Sequence, residues 1–357
     1  MPNADGFCSD WASSPGDTIR DAMAERGLSA DQFAQTIGQT TKEVSDLLDG
    51  RIAVTIGLAR RLRDVLGGSV EFWISRDVQF RKDVARLRRL DEEWLRELPV
   101  EDMVRFGWLD PAPHPSEEVT ACLRFFGTPN VAAWRQTYSQ AESRAAFRTS
   151  PTLDSRPGSV AAWLRQGEIQ AQRLHCASWN KSEFEKSLES IRALTRQKDP
   201  LVFIPGLQRI CEQCGVALTV VRAPNGCRAS GAVRFLAANR PLLQLSARYL
   251  SEDQFWFTFF HEAGHLVLHS DKGMFLEGLE EPKTIEEQEA NNFAEDVLVP
   301  PRLRPSLMSL GPHMKDVVRF ARKVGVSPGI VVGQLQFRRR IGRNQLNSLK
   351  RRFEWVG

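Results

Sequence analysis

The chain of 357 residues is long enough for two or three domains, because one domain usually contains roughly 100–200 residues. Hydrophobic residues make up 42% of it and charged residues 26%, which is ordinary for a soluble globular protein. The net charge of +4 is small for this length, so charge alone does not indicate a nucleic-acid partner. The N-terminus lacks the apolar core of a signal peptide, and no run of about 18 apolar residues occurs. We therefore expect a cytoplasmic protein that does not contact a membrane.

The first region, from Asp17 to Gly68, has the pattern of several short helices with clear ends. Apolar residues recur at helical spacing between glycines that end each helix and hydroxyl residues that cap the next one. The residues in these roles are Gly27, Gly38, Gly50, Ser29, Thr40 or Thr41, and Thr55. Two helices joined by a short turn at Gly38 predict a helix-turn-helix. A long or broken helix then continues to about residue 98.

The remainder of the chain is helical at first and then mixed, so we predict an α+β protein that is mostly helical. Cys211 and Cys214 form a CxxC pattern in a helical stretch without a second pair nearby, and we interpret them as buried and structural. The predicted elements after residue 200 are a helix from Pro205, short strands within 216–222, 230–238 and 241–247, a helix entered at Ser251, and an acidic helix over 284–299.

The segment FTFFHEAGHLVLH places two histidines four residues apart, with a glutamate directly after the first. On a helix, His261 and His265 would lie on one face, about 6 Å apart along the axis, and could both bind one metal ion. Glu262 lies about 100° around the helix from His261, beside the open coordination position, where it can accept a proton from water. The pattern predicts a catalytic metal site with Glu262 as the proton acceptor.

A third ligand is needed, and it has several candidates. His269 continues the four-residue spacing, but it lies about 12 Å along the axis from His261, too far to bind the same ion. The acidic helix further along the chain offers Glu286, Glu287 and Glu289. We favour Glu287, because Asn291 lies four residues later on the same face and could orient His261 or His265 by a hydrogen bond. The alternative is that these glutamates form a solvated helix face.

These motifs together resemble the ImmA/IrrE family of metallopeptidases. FTFFHEAGHLVLH, EEQEANNFAEDVLVP and SPGIVVGQLQ match in order over residues of about 200 to 340, and the glutamate of the motif ExxANxFAxxLLxP falls on Glu287. The resemblance implies a zincin-like metallopeptidase domain with a small β-sheet, and Zn²⁺ as cofactor, with Mn²⁺ or Fe²⁺ as alternatives from ligand type. It also implies an endopeptidase that cleaves a helix-turn-helix repressor or antitoxin.

Residues 17 to 85 separately resemble the Cro/repressor type of helix-turn-helix, close to its HigA-like antitoxin variety. The resemblance implies binding to operator DNA. The candidate DNA contacts are Gln39, Thr40, Thr41, Lys42, Ser45 and Arg51. The second helix departs from the family pattern, because VSDLLDG carries Asp46 and Asp49, and Glu43 is close by; carboxylates repel phosphates. A protein-docking or dimerisation role of this domain, including a homodimer, is the alternative.

The sequence therefore predicts five segments. They are an N-terminal extension (1–16), a helix-turn-helix domain with a trailing helix (17–98), a helical middle region of unassigned role (99–200), a metallopeptidase domain (201–340) and a basic tail (341–357). The favoured hypothesis is a transcriptional regulator fused to a zinc-dependent endopeptidase that cuts itself or a partner protein. The alternatives are a non-proteolytic repressor whose peptidase domain senses a ligand or metal, and an antitoxin. Arg248 and Tyr249 lie upstream of the histidines, but the sequence assigns no oxyanion-stabilising residue.

Overall fold

A computed structural model describes residues 11–141, 155–269, 275–276 and 285–355. The chain divides into two compact units, Met1–Leu95 and Arg96–Gly357. Residues 1–10 of the predicted N-terminal extension and the last two residues of the predicted basic tail lie outside the described residues. Among the helices of the described ranges, none is both long and apolar enough to cross a membrane.

The first unit is all helical, as predicted. Its helices are α1 (Pro15–Glu25), α2 (Ala30–Ile37), α3 (Thr41–Leu48), α4 (Ile56–Leu66) and α5 (Val70–Glu97), the last of which is one continuous helix. Their inward faces form a single apolar core that includes Ile19, Phe33, Ile37, Val44, Leu47, Leu58, Leu62 and Trp73. Helix α1 begins at Pro15 rather than at Asp17, because the Ser14 hydroxyl accepts a hydrogen bond from the Asp17 backbone N–H.

Helices α2 and α3 are joined by a three-residue turn and form the predicted helix-turn-helix. Gly38 ends α2 with φ of 63°, a left-handed conformation that glycine adopts without strain. Thr40 then caps α3: its side chain accepts from the backbone N–H of Glu43, and the Glu43 carboxylate accepts from the backbone N–H of Thr40. The sequence left Thr40 and Thr41 as alternative caps, and the structure selects Thr40.

The second unit contains eleven further α-helices in the described ranges and one sheet. The helices are α6 (Val100–Arg105), α7 (Pro115–Phe126), α8 (Val131–Ala141), α9 (Pro157–Ala171), α10 (Lys181–Leu194), α11 (Pro200–Gln213), α12 (Glu252–Leu268), α13 (Ile285–Leu298), α14 (Arg304–Met308), α15 (Met314–Val324) and α16 (Pro328–Phe337). The strands are β1 (Ala217–Val220), β2 (Gly231–Ala237), β3 (Arg240–Leu245) and β4 (Phe275–Leu276). The mostly helical α+β fold class is confirmed.

The sheet has the strand order β1-β3-β2-β4. Strands β1 and β3 are parallel, whereas β2 pairs antiparallel with β3 on one side and with β4 on the other. Helix α9, from the predicted middle region, packs on β1 and β3. The Trp163 indole N–H donates to the Val221 carbonyl at 2.9 Å, and the Gln244 amide donates to the Trp163 carbonyl at 2.7 Å. The middle region therefore contributes a helix that covers the sheet.

Two element starts differ from the sequence prediction. Helix α11 begins at Pro200, five residues before Pro205, because the Asp199 carboxylate caps it by accepting from the Leu201 backbone N–H. Pro205 is tolerated inside the helix. Ser251 does occupy the position before α12, but its hydroxyl makes no cap bond and donates instead to the Asp253 carboxylate.

Part of the predicted basic tail packs against the start of α12 within the second unit. Lys350 Nζ lies 2.5 Å from Asp253 Oδ2, and Arg351 Nη1 lies 3.4 Å from Glu252 Oε2. Both carboxylates are buried at the start of α12. A backbone bridge between Ser251 and Arg352 continues this contact. Two of the tail's basic residues therefore neutralise buried acids, and they do not form a free cationic surface.

Candidate metal centre and recognition helix

Helix α12 contains three of the candidate site residues and is buried in the core of the second unit. Apolar side chains surround it on several sides, among them Phe255, Trp256, Phe259, Phe260, Ala263 and Leu266, all buried. A helix that is apolar around most of its circumference is buried rather than placed at the surface. The consequence is that His261, Glu262 and His265 are also inside the protein, each at most 1% exposed.

The structure brings together the three residues that were predicted as metal ligands. His261 Nε2 lies 3.1 Å from His265 Nε2. Glu287, on α13, places one carboxylate oxygen 3.2 Å from His261 Nε2 and the other 3.4 Å from His265 Nε2. The Glu287 side chain is 12% exposed, so a small part of it is accessible to solvent. Within the described ranges this is the single cluster of histidine, cysteine and acidic groups that could hold a metal.

The spacing of these atoms fits one divalent ion. Two atoms at tetrahedral positions, each about 2.1 Å from a shared zinc ion, are about 3.4 Å apart. The measured separations of 3.1, 3.2 and 3.4 Å are close to this value without any movement of the backbone. Two imidazoles and one carboxylate are also a common donor set for catalytic zinc, which leaves a fourth position open. The residues present therefore fit a bound metal.

Asn291 lies where the sequence placed it, beside the ligands. Its side-chain oxygen is 2.9 Å from His261 Nδ1. The prediction left open which of the two histidines it would orient, and the geometry selects His261. Because Nδ1 is engaged with the amide oxygen, the Nε2 atom of the ring is the one directed at the cluster.

His269 and Glu289 have positions that the sequence argument did not foresee. His269 Nδ1 lies 3.2 Å from His265 Nδ1, and His269 Nε2 lies 2.8 Å from Glu289 Oε2. Neither residue belongs to the cluster of three possible ligands. On sequence alone we consider His269 only as a ligand, and Glu289 as a ligand or as part of a solvated helix face, although the four-residue spacing of His269 from His265 indicates a contact between the two rings.

Glu262 is fully buried, and its side chain lies against the first residue of β2. A Cβ atom built on Gly231 would lie 2.5 Å from Glu262 Oε1 and 2.7 Å from Thr258 Cγ2. Only glycine leaves room for the glutamate at this approach. Gly231 is a site residue that the sequence did not reveal, because the contact joins elements that are distant in the chain.

Burial decides the charge of His265. It lowers the pKa of His265 to about 4, and the neighbouring His261 acts in the same direction, whereas Glu287 opposes it. Burial would raise the pKa of Glu287, but hydrogen bonds from His261 and His265 outweigh it and lower this pKa to about 2. With these pKa values His265 is neutral and Glu287 is ionised at neutral pH, which is the protonation state that binds a metal.

Arg248 and Tyr249 do not acquire an oxyanion-stabilising role from the geometry. Both residues line a small cavity together with Ser230 and Thr258. The Arg248 guanidinium donates to the Arg228 backbone carbonyl at 2.7 Å. Its guanidinium group therefore binds the backbone at Arg228, and the role of oxyanion stabiliser stays unassigned.

The six candidate DNA contacts lie around the start and end of α3. Thr40, Thr41, Lys42, Ser45 and Arg51 are exposed and Gln39 is half-buried. Several are also engaged within the fold: Thr40 caps α3, and the Thr41 hydroxyl donates to the Asp31 carboxylate at 3.2 Å. Lys42 and Ser45 are the exposed members on the body of the helix.

The acidic residues of α3 also have partners. Arg51 lies 2.7 Å from Asp46 and 2.8 Å from Asp49, and Asp49 also contacts Arg20 at 3.1 Å. The hydrogen bonds from Thr40 lower the pKa of Glu43. These contacts reduce the repulsion of phosphates by α3, but they also occupy the guanidinium of Arg51, which was predicted to contact DNA.

Comparisons with known proteins agree with both units. The family profile of the IrrE N-terminal-like domain of peptidases matches residues 216–335, which include the three clustered residues and Glu262. The N-terminal region is similar to the uncharacterized HTH-type transcriptional regulator YddM of Escherichia coli strain K12, with 32% identity over 83 residues. This match covers 21% of the chain and 88% of that regulator. Residues 216–335 therefore form an IrrE N-terminal-like domain, and the N-terminal region that precedes it is similar to an HTH-type transcriptional regulator, which together support an ImmA/IrrE-type protein with a helix-turn-helix domain.

Proposed function

We propose that this protein is a transcriptional regulator fused to a metal-dependent endopeptidase, in which His261, His265 and Glu287 hold the metal. The observation that carries the proposal is the buried cluster of these residues, with ligand-atom separations of 3.1 to 3.4 Å. Two imidazoles and one carboxylate favour Zn²⁺, and Mn²⁺ or Fe²⁺ are the alternatives.

The residues of the site divide the work of peptide hydrolysis between them. When bound, a divalent cation acidifies a water molecule and polarises a carbonyl group. Glu262 accepts the proton of the attacking water and delivers it to the leaving amine. It is suited to both steps because it is buried next to His261 and restrained by Gly231. Asn291 holds the ring of His261 in the orientation that directs Nε2 inward.

The proposed substrate is a helix-turn-helix repressor or antitoxin, either this chain or a partner protein. The support for this class is the chain's own helix-turn-helix domain, similar to an HTH-type regulator, joined to the IrrE N-terminal-like domain. An enzyme and a DNA-binding module in one chain would couple cleavage to transcription. The resulting product would be an inactivated regulator.

The test has a binding arm and a cleavage arm. Zinc is titrated by calorimetry into the full-length, metal-stripped chain, with Glu287→Ala beside Gln288→Ala, an exposed control on the same helix. We expect one tight site in the wild type and the control, and a much weaker one in Glu287→Ala. A folded wild type without a tight site would overturn the proposal.

Glu262→Gln tests catalysis separately from metal binding. This variant keeps the size of the side chain but cannot accept the proton, so it should bind zinc normally and lose cleavage of a co-expressed repressor. Retained regulation with this variant would instead support the alternative, in which the peptidase domain senses a metal or ligand without cutting.

For the N-terminal domain we propose operator binding through α3, with Lys42 and Ser45 as the contacts most open to DNA. The salt contacts of Arg51 with Asp46 and Asp49 favour the second candidate, docking of a protein or of another copy of the chain. Fluorescence anisotropy with duplex DNA at 50 and 200 mM salt separates the two. DNA binding would weaken steeply with salt and with Lys42→Ala, whereas docking would leave no measurable DNA affinity.

A further inference from the structure

An exposed aromatic side chain lies close to the candidate metal centre. Phe337, the last residue of α16, is 68% exposed. Its ring centroid is 6.4 Å from that of Phe257 on α12, and the Phe257 ring is 6.3 Å from the His261 imidazole. Phe257 is half-buried against the core, so these three rings form a series from the interior to the surface. Phe337 is the one aromatic among the large exposed apolar side chains in the described part of the second unit.

Phe337 is within reach of a peptide that is bound at the candidate site. The two ring distances place it no more than about 13 Å from the His261 imidazole, and one residue of an extended chain spans about 3.3–3.6 Å. A substrate side chain at most about four residues from the cleaved bond can therefore pack on Phe337 and Phe257. Such a contact would bury a large apolar area, because aromatic rings are large and flat.

Two exposed arginines follow the aromatic residue in a tight turn. The Arg340 backbone N–H donates to the Leu335 carbonyl at 2.8 Å and thereby closes the end of α16. Arg339 has a φ of 55°, the left-handed conformation in which glycine or asparagine is usual at a helix end. Arg338 contacts Glu295. Arg339 and Arg340, in contrast, have no ion-pair partner anywhere in the part of the chain that the structure describes.

We propose that Phe337 and Phe257 bind an apolar side chain of the protein substrate, and that Arg339 and Arg340 bind carboxylates next to that side chain. This inference rests on the proposed peptidase function and defines its substrate class as an acidic segment that contains an apolar residue. Burial of the apolar side chain supplies affinity. The two guanidinium groups select carboxylates and repel a segment of positive charge.

Peptide binding to the full-length, metal-stripped chain tests the proposal without requiring catalysis. Fluorescence anisotropy is measured with three short fluorescein-labelled peptides, composed of glutamate and leucine, of glutamate and serine, or of lysine and leucine. We expect the wild type to bind the glutamate–leucine peptide at least about 10-fold more tightly than the other two. Phe337→Ala should weaken this binding by about 10- to 30-fold, as for an aromatic anchor, and Phe337→Leu by a few-fold at most.

Charge reversal tests the role of the two arginines. The double variant Arg339→Glu, Arg340→Glu should weaken binding of the glutamate–leucine peptide by about 10-fold and strengthen binding of the lysine–leucine peptide. The first of these effects should become smaller at high salt, because exposed charges are screened. If the arginines only stabilised the C-terminal end of α16 through the helix dipole, their reversal would lower stability in urea without reversing the preference between peptides.

The matched controls lie elsewhere in the second unit. Leu201, on α11, is an apolar side chain that is 76% exposed. Arg173 is an exposed arginine that follows α9. Helices α9 and α12 lie on opposite faces of the sheet, because the adjacent residues Ala232 and Val233 of β2 pack in the clusters of α9 and α12, respectively. Leu201→Ala and Arg173→Glu should change the peptide affinities by less than about 2-fold.

The outcomes separate this inference from the proposed function. Selective binding of the glutamate–leucine peptide by a wild type that cleaves no co-expressed repressor would support the binding surface and refute the peptidase function. Normal repressor cleavage by both Phe337→Ala and the charge-reversed variant would overturn the inference and leave the peptidase function intact. Equal binding of the three peptides by the wild type, or binding of none, would also overturn it. Phe337, Arg339 and Arg340 are exposed, so their replacement should not prevent folding.

Discussion

The contact between Gly231 and Glu262 leads to a quantitative prediction for Gly231→Ala. The added Cβ would lie 2.5 Å from Glu262 Oε1, whereas ordinary contacts begin at 3.4 Å. The carboxylate or the strand would have to move by 0.9 Å, the difference between 3.4 and 2.5 Å, to restore an ordinary contact. A displacement of about 1 Å can reduce catalysis by about 100-fold. Overpacking a buried site also costs about 1–3 kcal/mol of stability.

The assay for Gly231→Ala combines three quantities measured on one protein. Urea unfolding should show a loss of about 1–3 kcal/mol, repressor cleavage should fall by about 100-fold, and zinc affinity should change little, because Glu262 is not a ligand. Gly206→Ala is the matched control in the same unit: its added Cβ would have no neighbour closer than 3.8 Å. If Gly231→Ala were as stable as this control, the close approach of β2 to α12 would be refuted.

Two other predictions concern stability. Lys350→Met should lower the free energy of unfolding by about 3–5 kcal/mol, because the buried Asp253 carboxylate then loses its closest cation. The control Arg343→Met, at an exposed position, should change this free energy by less than about 0.5 kcal/mol. Equal urea midpoints for the two variants would contradict a stabilising role of the Lys350–Asp253 ion pair. The metal-stripped protein should lose stability as the pH falls below the unfolded histidine value of 6.5. Between this value and a folded pKa of about 4 for His265 the unfolded chain binds more protons, and Glu287 continues the loss between 4.5 and about 2. Urea unfolding at several pH values checks this, and His265→Gln should flatten the upper part of the profile; a flat wild-type profile would contradict it.

Local sequence signals predicted much of the fold because they act over a few residues. Ser29, Thr40 and Thr55 cap their helices as expected, and Gly38 ends α2 in a left-handed conformation. The spacing of His261 and His265 likewise predicted a shared direction of their rings. Local signals failed where a nearer partner competed: the Ser251 hydroxyl binds Asp253 and does not cap α12.

The sequence by itself determined which side chains can bind a metal and that two of them lie one helical turn apart. Only the tertiary structure decided which acid of α13 joins them, since Glu287 and Glu289 are both adjacent to histidines but make different contacts. It also decided that Gly231 borders Glu262. The physical reason is that helical spacing is set by local backbone geometry, whereas the crossing of two helices and the approach of a strand depend on how all their side chains pack together.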